Sequence, residues 1–164
     1  MYDVVAIGEL LVDFACRSTD DDGYPVLAAH PGGAPANFLA VLARYGLKTA
    51  LLAKVGNDAF GRLLRRTVER EGIDTAGVVV DDAAFTTLAF VTLDENGERD
   101  FSFARKPGAD MLLRYDDLDL SLIDRTRVFH FGSVSMTDEP SRDATRRAAA
   151  YARSRGGLLT YDPN

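Results

Sequence analysis

Hydrophobic positions along this chain come mostly as short continuous runs. Val4-Val5-Ala6-Ile7, Leu10-Leu11-Val12, the stretch from Thr49 to Val55, Val78-Val79-Val80, Val128 to Phe131 and Leu158-Leu159-Thr160-Tyr161 are such runs. Runs of this length, bounded by turn residues, are the pattern of strands buried on both faces. Segments with helical spacing separate them. Ala36 to Arg44 reads as a buried helix, with Gly46 suited to the left-handed position just past its end. Asp58 is placed to cap a second helix whose Phe60, Leu63, Leu64 and Val68 share one face, and Gly72 ends it. Asp138-Glu139-Pro140-Ser141 opens a third helix running to about Arg155, where Gly156-Gly157 breaks it. Strands alternating with helices predict an α/β core with a parallel sheet.

Two segments depart from that alternation. Asp20-Asp21-Asp22-Gly23 reads as a turn. Thr86 to Leu93 and Arg99 to Arg105 read as a hairpin around Asp94-Glu95-Asn96-Gly97. A four-residue loop pairs Leu93 with Glu98, Phe90 with Phe101, Leu88 with Phe103 and Thr86 with Arg105. That register puts Leu88, Phe90, Phe101, Phe103 and Arg105 on one face. An aromatic face with a cation at its end is suited to covering a sugar, and the hairpin is expected to form a separate flap.

The richest stretch is Pro31-Gly32-Gly33-Ala34-Pro35-Ala36-Asn37, which runs into Phe38-Leu39-Ala40-Val41. It reads as a glycine turn feeding a helix start. Gly32 and Gly33 let the backbone come close to a ligand. Asn37 falls in the helix's first turn, near the unpaired N–H groups. Backbone donors plus an amide suit the binding of hydroxyls.

Composition narrows the classes. The chain has 164 residues, 46% of them hydrophobic, enough for one domain with a real core. Its net charge of −6 argues against nonspecific binding to nucleic acid or anionic membranes. No run of ~18 apolar residues suggests a membrane span. The single Cys16 excludes an internal disulfide, and the start of the chain lacks signal-peptide features, so a cytoplasmic protein is expected. His30 and His130 have no metal-ligand spacing, Asp20-Asp21-Asp22 lacks a calcium-loop pattern, and Cys16 has no catalytic partner, so no metal site is expected.

Five motifs occur in order: Gly8-Glu9-Leu10-Leu11-Val12-Asp13, Gly32-Gly33-Ala34-Pro35-Ala36-Asn37, Lys54-Val55-Gly56-Asn57-Asp58-Ala59-Phe60-Gly61, Arg105-Lys106-Pro107-Gly108-Ala109-Asp110 and Asp162-Pro163-Asn164. In this the chain resembles the ribokinase-like sugar kinases of the phosphofructokinase-B type. Phe101 to Asp110 most resembles bacterial fructokinases. The resemblance implies a three-layer α/β/α fold with a mostly parallel sheet and a small β flap, its lid strands near 10–16 and 86–105.

It also implies roles. Asp13 matches a sugar-hydroxyl acceptor, Gly32, Gly33 and Asn37 the sugar-binding turn, and Phe90, Phe103 and Arg105 the flap that closes over the sugar. Asp162 and Asn164 match a segment near the phosphate-transfer site. The implied reaction is ATP-dependent phosphorylation of a sugar's primary hydroxyl, with Mg²⁺ and room for a monovalent cation, in an enzyme that dimerises through the flap. Family members are about twice this long, and the Gly-Ala-Gly-Asp run that supplies their catalytic base and the ATP-binding loops are not in these residues. The chain is therefore expected to be the amino-terminal, sugar-binding part of a kinase domain, inactive alone and carrying no catalytic base. Fructose is the expected substrate. A 2-keto-3-deoxy sugar acid, whose carboxylate would suit Arg105, ribose, or a non-catalytic sugar-binding or dimerisation module are the alternatives.

Overall fold

The computed structural model describes residues 1–93 and 99–163. In chain order its elements are β1 (Tyr2–Ile7), β2 (Leu11–Thr19), β3 (Pro25–Gly32), α1 (Ala34–Arg44), β4 (Thr49–Gly56), α2 (Ala59–Arg70), β5 (Ile73–Asp74), β6 (Val78–Asp81), β7 (Leu88–Leu93), β8 (Arg99–Ala104), α3 (Leu120–Asp124), β9 (Thr126–Gly132), α4 (Ser141–Ser154) and β10 (Leu158–Asp162). Short 3-10 turns stand at Ala109–Leu112, Tyr115–Asp117 and Val134–Met136.

The strands form two sheets. The central sheet runs β10-β9-β1-β4, all parallel, with β5 and β6 both beside β4. Alternation along its strands divides the core into two layers. Val4, Ala6, Leu51, Ala53 and Val55 pack with Leu39 of α1 and Leu64 of α2. Val5, Ile7, Ala50, Leu52 and Phe129 pack with Leu122 and Ile123 of α3 and with Ala148 of α4. The result is the expected three-layer α/β/α arrangement around a parallel sheet.

Local chemistry fixes the ends of these elements. Gly46 has φ 83° and donates its N–H to the carbonyl of Ala43, closing α1 as a left-handed glycine does. Asp58 caps α2: Oδ1 accepts from the N–H groups of Phe60 (2.9 Å) and Gly61 (2.8 Å). Its Oδ2 accepts from the N–H of Thr86 at 2.8 Å, tying the cap to the root of β7. Lys54, 6% exposed, is held by Asp117 at 2.7 Å, Asp81 at 3.5 Å and the carbonyl of Leu112 at 3.0 Å. A buried ammonium needs such a set of partners to offset its lost hydration.

The second sheet is the flap, ordered β3-β2-β7-β8. It is larger than the sequence pattern implied, because β2 continues to Thr19 and Pro25–Gly32 forms an antiparallel partner strand. That partner carries Pro25 and Pro31 near its two ends, and prolines demote a run to a loop or an edge strand, which masks its strand character.

The register of the hairpin corrects the sequence reading. Phe90 pairs with Ser102, Val91 with Phe101, Ala89 with Phe103 and Leu88 with Ala104. Leu93 pairs with Arg99, one residue further on than expected. A one-residue shift moves every side chain of one strand to the other face. Leu88 and Phe90 therefore do not share a face with Phe101 and Phe103. The turn that carried the expectation, Asp94-Glu95-Asn96-Gly97, lies outside the described residues, as does Glu98.

Candidate functional site

Residues of the quoted motifs gather at the carboxyl ends of the central strands. β1 has β4 on one side and β9 on the other, so the chain's order reverses at β1. In open α/β sheets ligands bind in the crevice at such a reversal. Gly8 and Glu9 leave β1 there, Gly132 closes β9, and Asp162 closes β10 level with Gly132.

The glycine turn is built against this edge. Gly33 precedes α1 with φ 112°, a conformation that L side chains rarely adopt, and a Cβ there would also run into the carbonyl of Glu9. At Gly32 the place of a Cβ is filled by the Asp13 carboxylate. Pro35 sits in the first turn of α1, where a missing N–H costs nothing. The structure thus brings Asp13, Gly32 and Gly33 together. Asn37 lies in α1 with its N–H already donated to the carbonyl of Gly33 (3.1 Å), and its side chain is exposed.

Two carboxylates flank the turn. Asp13 is half-buried, and among the described residues no hydrogen bond engages its carboxylate. Burial pushes its pKa above the ordinary value, partly offset by His30, which pairs with it across β2 and β3. Glu9 is 3% exposed. Its Oε1 accepts from the N–H of Ala34 at 2.9 Å, the first of α1, while Oε2 is buried with no partner among the described residues. Burial raises the Glu9 pKa, which also feels Asp110 (raising) and Arg105 (lowering). A buried acceptor left open at a helix start is suited to a hydroxyl donor.

Arg105 follows β8 and arrives already paired. Its Nε (2.8 Å) and Nη2 (2.7 Å) both donate to Oδ2 of Asp110, and the Thr87 hydroxyl donates to Oδ1. Nη1 reaches Thr137 Oγ1 at 3.3 Å and Nη2 the Val134 carbonyl at 3.4 Å, in the turn after β9. The Asp110 and Arg105 side chains are 2% and 12% exposed. Sequence reasoning named neither Glu9 nor Asp110 as a site residue, although both stand inside the quoted motifs. Their signal was a carboxylate within two residues of a motif glycine.

The aromatic residues separate. The face carrying Asp13 also carries His30, Ala89, Val91, Phe101 and Phe103, as the strand pairings dictate. Phe101 and Phe103 stack on each other at 6.2 Å and are about half exposed. Phe90 instead stacks on Phe14 at 5.4 Å, and Phe14 meets Phe60 of α2 edge-on at 5.5 Å. Its ring is on the face opposite the Asp13 carboxylate, although both residues border a groove of about 910 Å³ along the outer part of β2.

On the β10 side, the carbonyl of Asp162 accepts from the N–H of Ser133 at 3.0 Å. Asn164 lies outside the described residues. His130, beneath this edge, bonds Thr160 through Nδ1 (2.9 Å) and packs on Phe38, and burial lowers its pKa. No helix among the described residues is long and apolar enough to cross a membrane.

Comparison with known proteins bears on the family and the fold. The model of the pfkB family carbohydrate kinases matches residues 1–164. Fructokinase-1 of Zea mays is 47% identical over 163 residues, covering 98% of this chain and 50% of the relative. Fructokinase of Solanum tuberosum is 44% identical, with 98% and 51% covered. Among solved structures, fructokinase from Xylella fastidiosa superposes with a TM-score of 0.94 at 33% identity, covering all of this chain and 51% of that one. A putative ribokinase II from E. coli, in complex with ATP and Mg²⁺, superposes with a TM-score of 0.91 at 30% identity, with 100% and 53% covered. The chain spans about half the length of the curated relatives it matches.

Proposed function

Since the chain belongs to the pfkB family of carbohydrate kinases, we propose that residues 1–164 form the sugar-binding side of a fructokinase, which transfers the terminal phosphoryl group of ATP to a primary hydroxyl of fructose. The observation that carries this reading is the apposition of the Asp13 carboxylate and Gly32 beside the start of α1. A carboxylate that none of the described residues hydrogen-bonds accepts hydrogen bonds from sugar hydroxyls, and charge-assisted bonds of this kind are the strong ones.

Each residue then has a task. Asp13 orients the sugar and fixes which hydroxyl points toward the strand ends. Gly32 and Gly33 let the ring approach the backbone, and Glu9 Oε2 offers a further acceptor beneath it. Asn37, exposed on α1, and Phe103, on the Asp13 face of the flap, bound the ligand, and Arg105 offers its one remaining N–H. Phe90 supports the flap through Phe14. Holding the hydroxyl in one place lowers the entropic part of the barrier, and a flap that excludes water protects the phosphoryl group from hydrolysis.

ATP supplies the phosphoryl group and Mg²⁺ offsets its charge. The groups at the strand ends of this chain (Glu9, Asp13, Asp110 and Asp162) form an acidic set that suits hydroxyls and does not fit a triphosphate. The nucleotide site and the base that takes the hydroxyl proton are assigned to chain outside these residues, as the share of each relative that is matched would allow. Asp162, which closes β10, is assigned a place near the phosphate-transfer site. Two flaps pair through the exposed Phe101 and Phe103 to give a homodimer in the cytoplasm.

The test is ATP-dependent phosphorylation of fructose by the full-length protein, beside ribose and 2-keto-3-deoxygluconate, for wild type and Asp13→Ala. Fructose turnover lost in the variant supports the reading. A preference for either other sugar, or full turnover without Asp13, overturns it.

A further inference from the structure

The Arg105–Asp110 pair bears on which class of sugar the site accepts, an inference that rests on the sugar-binding reading above. An unpaired arginine at the rim of such a site would favour a ligand with a carboxylate, because a guanidinium holds one through two parallel bonds. Here that position is taken. Oδ2 of Asp110 accepts from both Nε and Nη2 of Arg105, and the Thr87 hydroxyl fixes the other oxygen. The acid is almost fully buried, so its charge is poorly screened. Thr137 and the Val134 carbonyl hold the far side of the guanidinium.

The pair is also electrostatically joined to the glycine turn. Glu9, which bonds the first N–H of α1, feels both Asp110 and Arg105. Asp13 lies on the other side of the turn, against Gly32. One cation thus stands beside two carboxyl groups, Asp110 and Glu9, already committed to the first. It leaves one N–H, on Nη1, with little net positive charge. A hydroxyl or ring oxygen can use that donor, whereas a ligand carboxylate would meet Glu9, Asp13 and Asp110 without a free counter-charge. We propose that Asp110 is a specificity-determining positioning residue: by neutralising and orienting Arg105, it tunes the site for uncharged sugars and against sugar acids.

The experiment compares a neutral and a carboxylate-bearing substrate in the full-length protein, by kcat/KM for fructose and for 2-keto-3-deoxygluconate. Wild type is expected to favour fructose. Asp110→Asn, which keeps the shape and removes the charge, is expected to raise the acid-to-fructose ratio about tenfold or more, chiefly through the KM of the acid. Asp110→Glu, which keeps the charge, leaves the preference with fructose. A folded Asp110→Asn protein with an unchanged ratio overturns the proposal. Loss of packing alone would depress both substrates together and leave the ratio where it was, so that result counts against it too.

A second measurement needs no variant. Gluconate and sorbitol differ at one end by a carboxylate in place of a CH₂OH, and each is tested as a competitor of fructose in wild type. Sorbitol is expected to inhibit about tenfold better. Gluconate inhibiting as well as sorbitol overturns the proposal. Should wild type phosphorylate fructose poorly and the acid well, the proposal fails although a sugar kinase remains. Should it phosphorylate neither, the sugar-kinase reading fails first and takes this one with it.

Discussion

In β4 every residue is buried, whereas in β2 only Leu11 and Val12 are, and burial falls away along the strand until its last four residues are exposed. The first strand belongs to a sheet covered by helices on both faces. The second belongs to a sheet with one end rooted in the core and the rest in solvent. The difference is one of constraint. Shifting β4 by one residue would exchange two filled core layers, while shifting β8 against β7 changes little that is packed. The core therefore specifies itself, whereas packing alone does not fix the register of the flap.

Replacement of a core anchor should give the largest effect on stability. Phe129→Ala empties a fully buried position between β9 and the α3–α4 layer and is expected to cost about 3–5 kcal/mol, read by denaturant unfolding. The same change at Phe101 in the flap should cost well under 1 kcal/mol. Equal losses at the two positions would erase the contrast.

Next comes a change that should weaken the ligand without weakening the fold. Asp13→Ala is expected to lower sugar affinity by roughly a hundredfold, the worth of one or two hydrogen bonds to a charged group, read by calorimetry on the full-length protein. Its melting temperature should stay level or rise, because burial penalises the Asp13 charge. A parallel loss of stability would make Asp13 a structural residue of the flap root.

Smaller still is the tie between the two regions. Asp58→Ala removes the cap of α2 and the acceptor of the Thr86 N–H, for an expected loss of about 0.5–2 kcal/mol. Burial alone would raise the Asp58 pKa, but the bonds from Thr86, Gly61 and Phe60 outweigh it and hold it below the ordinary value. A depressed folded pKa means stability that is present above the unfolded value and lost as pH falls through the folded one. Acid unfolding below about pH 4 should therefore be less steep in Asp58→Ala than in wild type. Identical acid profiles would remove Asp58 from the linkage.

The smallest expected effect on folding is at the flap's aromatic face. Phe101→Ser together with Phe103→Ser should change stability by no more than about 1 kcal/mol while shifting a dimer toward monomer in light scattering. An unchanged dimer would place its interface elsewhere.

The same contrast governed what the sequence revealed. Val4–Ile7 and Thr49–Val55 read correctly because a strand buried on both faces has no face to misassign. Asp58 and Gly46 were legible because caps act on neighbours a few residues away. β3 was not, since Pro25, His30 and Pro31 are the residues of a loop until β2 lies beside them. The Phe90–Phe101 pairing failed because alternation gives two registers equally well and only the turn separates them. In the site, Asp13 and Gly32 were named from their motifs. The Arg105–Asp110 pair was not, because a charge five residues away in sequence becomes a partner only once the chain folds back on itself.

The enclosure of Lys54 has a consequence for chemical labelling. The chain's lysines are Lys48, Lys54 and Lys106. Lys48 and Lys106 are exposed, and Lys54 is sealed between Asp117 and Asp81. An amine-reactive reagent should modify the first two in the native protein and reach Lys54 only when the core opens. Acylation at Lys54, followed by mass spectrometry, would then count opening events of the central sheet.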